Sequence, residues 1–317
     1  MAAPAGSDAG GREELVASLA AQLGSSREAR WIVDDVASRA AGAGHRRPDG
    51  RRLEREARVL AARREAGEPL QYVLGRWPFR TLDLVVDRRV LIPRPETEQV
   101  VEVALGELRL LSDPRHAWAD RTAAVDEVEE SGARVCVDLG TGSGAIALSM
   151  AVESGSFCPG LEVWATDSSA DALDVAEQNL RGLSDVDGAA GRRVRMAEGD
   201  WFGALPPLLS GRVDLVVANP PYVAESDFSD LDRTVRDWEP RRALVARRGE
   251  SGVEGMADIE VVIAGAACWL RPTGALVVEI DPSQADAAIG AAHRAGFARV
   301  AARRDLAGRI RMLVAGC

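Results

Sequence analysis

Lysine is missing altogether, so each of the 39 basic side chains other than histidine is an arginine. The 49 acidic residues outnumber them and leave a formal charge of -10. That sign argues against a chain whose main task is coating nucleic acid, because phosphate binding is driven by clustered cations. Cysteine is scarce: Cys136, Cys158, Cys268 and Cys317 form no CxxC pair. His45, His116 and His293 show no ligand spacing either, so no metal site is expected. Cys136 and Cys268 lie in apolar runs, where a free thiol behaves as a small buried hydrophobe. No uninterrupted apolar stretch reaches the roughly 18 residues a membrane helix needs. The start, MAAPAGSDAGG, has no cationic segment followed by an apolar one. A cytoplasmic address and no membrane association are the expectation.

What remains is a globular composition, with 46% hydrophobic and 28% charged residues. A chain of 317 residues exceeds one small core and predicts two domains. Residues 1–10, rich in Ala, Gly, Pro and Ser, read as a disordered tail. From Glu13 to Arg64 apolar residues recur at helical spacing (Leu15, Leu19, Leu23; Ile32, Val33, Val36), which predicts a small helical domain over 11–66. Residues 67–98 change character: Thr81, Leu82, Leu84 and Val86 suggest a short hairpin, followed by a proline-punctuated loop. A helix follows from Thr97 to about Leu111, with acidic residues in its first turn. Residues 112–133 are polar and acidic and read as a surface loop. Beyond them, strand-like runs alternate with helical ones, the pattern of a mainly parallel sheet covered by helices, placed over 99–317.

Three motifs carry chemistry. In VCVDLGTGSGAIAL (135–148) an apolar strand meets a glycine-rich turn and then a helix. Gly140, Gly142 and Gly144, with Thr141 and Ser143 between them, let the backbone turn tightly and approach a ligand that a Cβ would block. The same pattern serves dinucleotide sites, and a plain tight turn would read alike. Asp167 ends the next strand, where a carboxylate can accept bonds from two ribose hydroxyls; an Asp there can equally cap a helix, a task open also to Ser168 or Ser169.

The third motif is DLVVANPPYVAE (214–225), a strand running into Asn219, Pro220, Pro221 and Tyr222. The prolines stiffen the backbone and donate no hydrogen bonds. The Asn219 carboxamide oxygen and the Pro220 carbonyl can together receive both hydrogens of one planar NH2 group, with Tyr222 stacked on its plane. Such a grip suits methylation of an amide or exocyclic amine, a weak nucleophile that gains from orientation. The plainer reading is that Pro-Pro ends the strand and Tyr222 packs.

The residues then resemble a known family, the release factor glutamine methyltransferases (PrmC/HemK), from about residue 13 to 314. The resemblance rests on GEPLQYVLG (67–75), LIPRPETE (91–98), DLGTGSGAIAL (138–148), GDWF (199–202), NPPYV (219–223), EPRRAL (239–244) and DLAGRIR (305–311). NPPY alone is shared with adenine-amino DNA methyltransferases; its combination with LIPRPETE is far more specific. The resemblance implies a Rossmann-like seven-stranded α/β methyltransferase domain, a hairpin linker and an N-terminal helical domain that helps recognise a protein substrate. It implies transfer of methyl from S-adenosyl-L-methionine to the side-chain amide of the glutamine in the Gly-Gly-Gln motif of peptide chain release factors, by a monomer with no stable nucleic-acid partner. Carried over, Gly140 to Gly144 and Asp167 hold the cofactor, Trp201 lies against its adenine, and Asn219 to Tyr222 grip the substrate amide, with Asn219 beside the cofactor too. Without the resemblance, Trp201 reads as core packing. Arg94 and Glu96 read as shapers of the pocket or as a surface ion pair, and Glu239 as ordering a nearby loop. Asp281, in EIDPSQ, stands where the family commonly has glycine, and 112–133 and 184–193 look long for it. A ribosomal protein glutamine methyltransferase, a nucleic-acid adenine methyltransferase and a non-catalytic binding module stand as alternatives.

Overall fold

The structure is a computed structural model that describes residues 7–42, 50–112, 134–248 and 253–317. The acidic stretch expected as a surface loop therefore lies, but for Ser112, outside the described residues. The chain divides into two compact units, Met1–Arg76 with Asp232–Trp238, and Trp77–Leu231 with Glu239–Cys317.

In the first unit, α1 (Ser7–Leu23), α2 (Ser26–Gly42) and α3 (Gly50–Glu65) are followed by the short α4 (Leu70–Leu74). α1 begins inside the stretch expected as tail, and residues 1–6 are not described. The apolar periodicity becomes a shared core: Leu19 of α1 and Ile32 and Val33 of α2 are fully buried, as are Ala57 and Ala61 of α3. The small alanines let α3 approach closely, and Arg64 of α3 holds Glu28 of α2 at 2.8 Å. Sequence reading kept the chain after residue 99 in one domain. Instead Asp232–Trp238 belongs to the helical unit. Its short helix, Arg233–Arg236, is capped by Asp232, which accepts from the Thr234 N–H at 2.7 Å.

The hairpin β1 (Arg76–Phe79) and β2 (Leu82–Val85) follows, in the second unit from Trp77 onward, and then α5 (Pro95–Ser112). Pro95 suits a helix start, where its missing N–H costs nothing, and Glu96 and Glu98 complement the helix dipole. The sheet then builds from β3 (Val135–Leu139), β4 (Glu162–Asp167) and β5 (Val194–Glu198), with α6 (Ala145–Glu153) and α7 (Ala170–Val186) between them. The chain returns through β6 (Val213–Ala218) and β7 (Leu270–Glu279), and ends in β8 (Arg299–Arg304) and β9 (Ile310–Gly316). The strand order is β5-β4-β3-β6-β7-β9-β8, seven strands with only the β9 pairings antiparallel. The expected α/β class and seven-stranded sheet are present.

Every residue of β3 and of β6 is buried, as strands covered on both faces require. Order reverses between them, because the chain works outward from β3 to β5 and then comes back to β6 on the other side. Ligands in open α/β sheets bind beyond the strand C-termini at such a reversal. The register pairs Leu139 with Ala218, and Leu139 with Thr166 on the other side. Gly140, Asn219 and Asp167 therefore leave the sheet as neighbours.

Asn179 of α7 ties the hairpin to this end of the sheet. Its Oδ1 accepts from the Val85 N–H at 2.6 Å, and its Nδ2 donates to the carbonyls of Val85 at 3.0 Å and Ser143 at 2.9 Å. Asn179→Ala leaves these backbone groups without their partner and should cost about 2 kcal/mol. A lowered denaturant midpoint at unchanged slope is the expected result, and an unchanged midpoint would remove the tie from the account.

Candidate active site

The glycine turn after β3 holds Gly140 at φ 73°, Gly142 at φ 55° and Gly144 at φ 84°, all left-handed. The glycines do different things. A Cβ on Gly142 would meet nothing within 4 Å, so that backbone borders open space, where a ligand can come close. A Cβ on Gly144 would come 3.2 Å from the Leu148 side chain and 3.5 Å from Ala176, so Gly144 lets α6 and α7 pack and does not line the cavity. Beneath the turn, buried Asp138 accepts from the Thr141 hydroxyl at 2.6 Å and the Ala147 N–H at 3.1 Å. Burial pushes its carboxyl up to about 7, against those two bonds.

Asp167 closes β4 and reaches across to the turn. Its Oδ2 accepts from the Gly142 N–H and its Oδ1 from the Ser169 N–H, both at 2.9 Å. Each oxygen keeps a further lone pair. Ser169 is the N-cap of α7, its hydroxyl accepting from the Ala172 N–H at 3.2 Å. Burial raises the Asp167 carboxyl above its ordinary value, and the bonds from Gly142 and Ser169 oppose this.

Trp201 stands at φ 47°, a conformation rarely taken by a bulky residue, which places its ring 3.5 Å from where a Gly140 Cβ would be. Its indole Nε1 is buried with no partner among the described residues. Behind it, Arg247 lies 5.9 Å from the ring centroid and bridges Asp258 at 2.6 Å and Asp200 at 3.0 Å. Sequence reading assigned nothing to Arg247 or Asp258. Their link to GDWF joins segments 47 residues apart and leaves no local signal.

At the end of β6, Asn219 is half-buried and Pro220 buried, and Asn219 Nδ2 donates to the Thr97 hydroxyl at 3.3 Å. Thr97 in turn donates to Glu279 Oε2 at 2.7 Å. Thr97 and Glu279 are 4% and 1% exposed, and Thr97 and Asn219 border the cavity. Burial pushes the Glu279 carboxyl up to about 7. The Tyr222 carbonyl accepts from Gln284 Nε2 at 3.0 Å, and Gly255 passes so close to it that a Cβ there would lie 2.4 Å away. Burial also pushes the Tyr222 phenol up to about 12.

These pieces meet around one cavity of about 270 Å³, near the lower end of the range for small-molecule sites. Its wall includes the turn from Gly140 to Ser143, Asp167, Trp201, Asn219 and Pro221. Gly144, Pro220 and Tyr222 are not part of that wall; the Tyr222 side chain packs against the core under β6 and β7. Arg94 is in the wall, but not as half of a pair with Glu96. It holds Glu239 at 2.5 Å, Glu239 also accepts from the Ile92 N–H at 3.1 Å, and Glu96 pairs with Arg309 at 3.0 Å. Glu239 thereby clamps the LIPR loop to the WEPRR segment. Asp281 has φ −75°, open to any residue, and caps the turn at Pro282–Gln284, so glycine is not required there. Among the described residues no cluster of three metal-ligating side chains occurs, and no helix is long and apolar enough to cross a membrane.

The residues suit a nucleoside-bearing cofactor: an open backbone approach at Gly142, an acidic acceptor at Asp167 and an aromatic face at Trp201 whose buried N–H awaits an acceptor. The methyltransferase small domain family model matches residues 122–235. Release factor glutamine methyltransferase of Bordetella pertussis is 42% identical over 79% of this chain and 78% of its own length. That of Burkholderia pseudomallei is 41% identical over 78% of this chain and 76% of its own. That of Bifidobacterium longum is 36% identical over 81% and 79%. Among solved structures, a methyltransferase from Pyrococcus furiosus overlaps 83% of this chain and 97% of its own, with 16% identity and a TM-score of 0.45. With such identity sustained over most of both chains, and with Asn219 and Pro221 of NPPY facing one cavity together with Arg94 and Thr97 of LIPRPETE, the chain belongs to the release factor glutamine methyltransferase family.

Proposed function

We propose that this protein methylates the side-chain amide nitrogen of the glutamine in the Gly-Gly-Gln motif of peptide chain release factors, in the cytoplasm, using the cavity where β3 and β6 diverge. The observation that carries the reading is that Asn219 lines the same cavity as Gly142, Asp167 and Trp201. A polar carboxamide thus faces the place where a nucleoside would be held.

S-adenosyl-L-methionine, when bound, supplies a methyl group made electrophilic by its sulfonium. Gly142 offers its bare backbone, the free lone pairs of Asp167 accept from ribose hydroxyls, and Trp201 presents its ring to adenine. Asn219 Oδ1, on the cavity wall, accepts one N–H of the glutamine amide, and the carbonyl of Pro220, which sits between the wall residues Asn219 and Pro221, accepts the other. An amide nitrogen is a weak nucleophile because its lone pair is delocalised into the carbonyl. Fixing both N–H bonds favours pyramidal geometry at nitrogen and holds the lone pair in line for attack. The proton lost from nitrogen leaves after the methyl has been transferred, so no strong base is required beforehand. Tyr222 lies off the cavity wall and acts through its carbonyl, which Gln284 holds and which fixes the path of the NPPY segment.

Asn219→Ala should lower turnover at least about a hundredfold, the scale of losing one group that binds the transition state, with a much smaller change in cofactor affinity. Transfer of tritiated methyl to purified release factor measures the first and calorimetric titration the second. Label in ribosomal protein or DNA in place of release factor would move the substrate to another class. Asp167→Ala should instead weaken cofactor binding about tenfold or more, since it removes the ribose acceptor and frees the Gly142 N–H. Unchanged cofactor affinity in that variant would disprove the assignment.

A further inference from the structure

We infer that buried Thr97 and Glu279 are positioning residues that lock the Asn219 carboxamide with its oxygen toward the substrate. The inference rests on the reading of the site just given and gives a task to Thr97 of LIPRPETE and to Glu279 at the end of β7, to which no role has been assigned above.

A carboxamide has two faces of opposite polarity, and only one serves. With Oδ1 toward the cavity, Asn219 can accept an N–H of a glutamine amide. Turned over, it presents two N–H donors to another N–H donor, and the grip fails. The protein must therefore fix the flip, and the hydrogen-bond chain does so by counting protons. Thr97 has one hydroxyl proton, and it is directed to Glu279 Oε2 at 2.7 Å. An ionised carboxylate only accepts, so the Thr97 oxygen is left to accept from its other neighbour. That neighbour is Asn219 at 3.3 Å, which must present Nδ2. Oδ1 then points away from Thr97. The direction set at Glu279 passes through one hydroxyl to the group that holds the substrate.

The lock works only while Glu279 is ionised. A protonated Glu279 can donate to Thr97, which frees the Thr97 proton for Asn219 Oδ1 and permits the inverted carboxamide. The charges facing Glu279 come from several elements. Arg311 on β9 and Arg94 in the LIPR loop favour the carboxylate, whereas Glu96 at the start of α5 opposes it. The Tyr222 phenol faces it from beyond β6. Burial is the largest influence and raises the carboxyl to about 7, so ionisation is completed only on the alkaline side of neutrality. Deprotonation therefore raises turnover as pH increases through about 7.

The test measures kcat, KM for release factor and cofactor affinity in wild type, Thr97→Val, Thr97→Ser, Glu279→Gln and Asn219→Ala across about two pH units centred on neutrality. Thr97→Val keeps the shape of the side chain and should lower kcat about tenfold, with cofactor affinity unchanged. Thr97→Ser should restore most of that loss. Wild-type turnover should fall on the acid side, and Glu279→Gln, whose amide can either accept or donate, should flatten that limb. In nitrogen-15 NMR spectra the Asn219 side-chain resonances should shift with the same midpoint as turnover, and lose that dependence in Thr97→Val. Thr97→Val within twofold of wild type, Thr97→Ser as impaired as Thr97→Val, or an acid limb that persists in Glu279→Gln would each overturn the lock. Impairment in Asn219→Ala alongside a silent Thr97→Val removes the lock alone, whereas a silent Asn219→Ala removes the reading of the site as well.

Discussion

The parallel pairing of β3 with β6 is the constraint on which the site depends. Its register sets Leu139 beside Ala218, so the glycine turn and Asn219 begin next to one another although 79 residues of chain separate the paired positions. A slip of one residue would send the strands' side chains to the opposite faces, and since both strands are buried throughout, such a slip would disrupt packing along the whole pair. The position of the chemistry is thus inherited from the core. Asp214 reinforces the same pair from its other end. It is fully buried, accepts from the Val135 N–H at 2.8 Å and pairs with Arg134 at 2.6 Å and Arg271 at 3.1 Å. A buried carboxylate is tolerable when hydrogen bonds and cations compensate its lost hydration.

The same compensation recurs around the cavity in a graded way. Glu239 has a cation and a backbone N–H at hand, and clamps two loops. Asp167 has two backbone N–H groups and keeps room for further donors. Asp138 and Glu279 are the least compensated, each with burial as its dominant influence and a carboxyl pushed up to about 7. Rigid supports and proton-sensitive ones therefore sit side by side at one end of the sheet: donors reach both oxygens of Glu239 and Asp167, whereas those of Asp138 meet at Oδ2 and Thr97 holds Glu279 at Oε2.

Much of this was legible in the order of residues because the signals are local. Alternation of strand and helix predicted the α/β class, and Gly140, Asp167 and Asn219 announced themselves by following apolar strands. Family resemblance supplied the adenine role expected of Trp201, which composition alone could not. The connections between motifs were not legible. Thr97 and Glu279 are 182 residues apart, Arg94 and Glu239 145 apart, and neither pair leaves a periodicity or a spacing. Glu96, two residues from Arg94 and opposite in charge, is a candidate partner on paper, yet it turns toward Arg309. For Tyr222 the sequence leaves open stacking of its ring on the amide plane or plain packing, and its side chain packs against the core, off the cavity wall.

The excursion of Asp232–Trp238 gives the chain a threading that its motif order does not announce. The polypeptide leaves the helical unit at Arg76, re-enters it at Asp232 and leaves it again after Trp238. Neither unit is one uninterrupted stretch, so no single cut in the backbone yields both intact. The returning stretch is strung between NPPYV and EPRRAL, and Val223 of the first forms a β-bridge with Val245, the residue after the second. The detour therefore leaves and rejoins the second unit through segments that are bonded to each other.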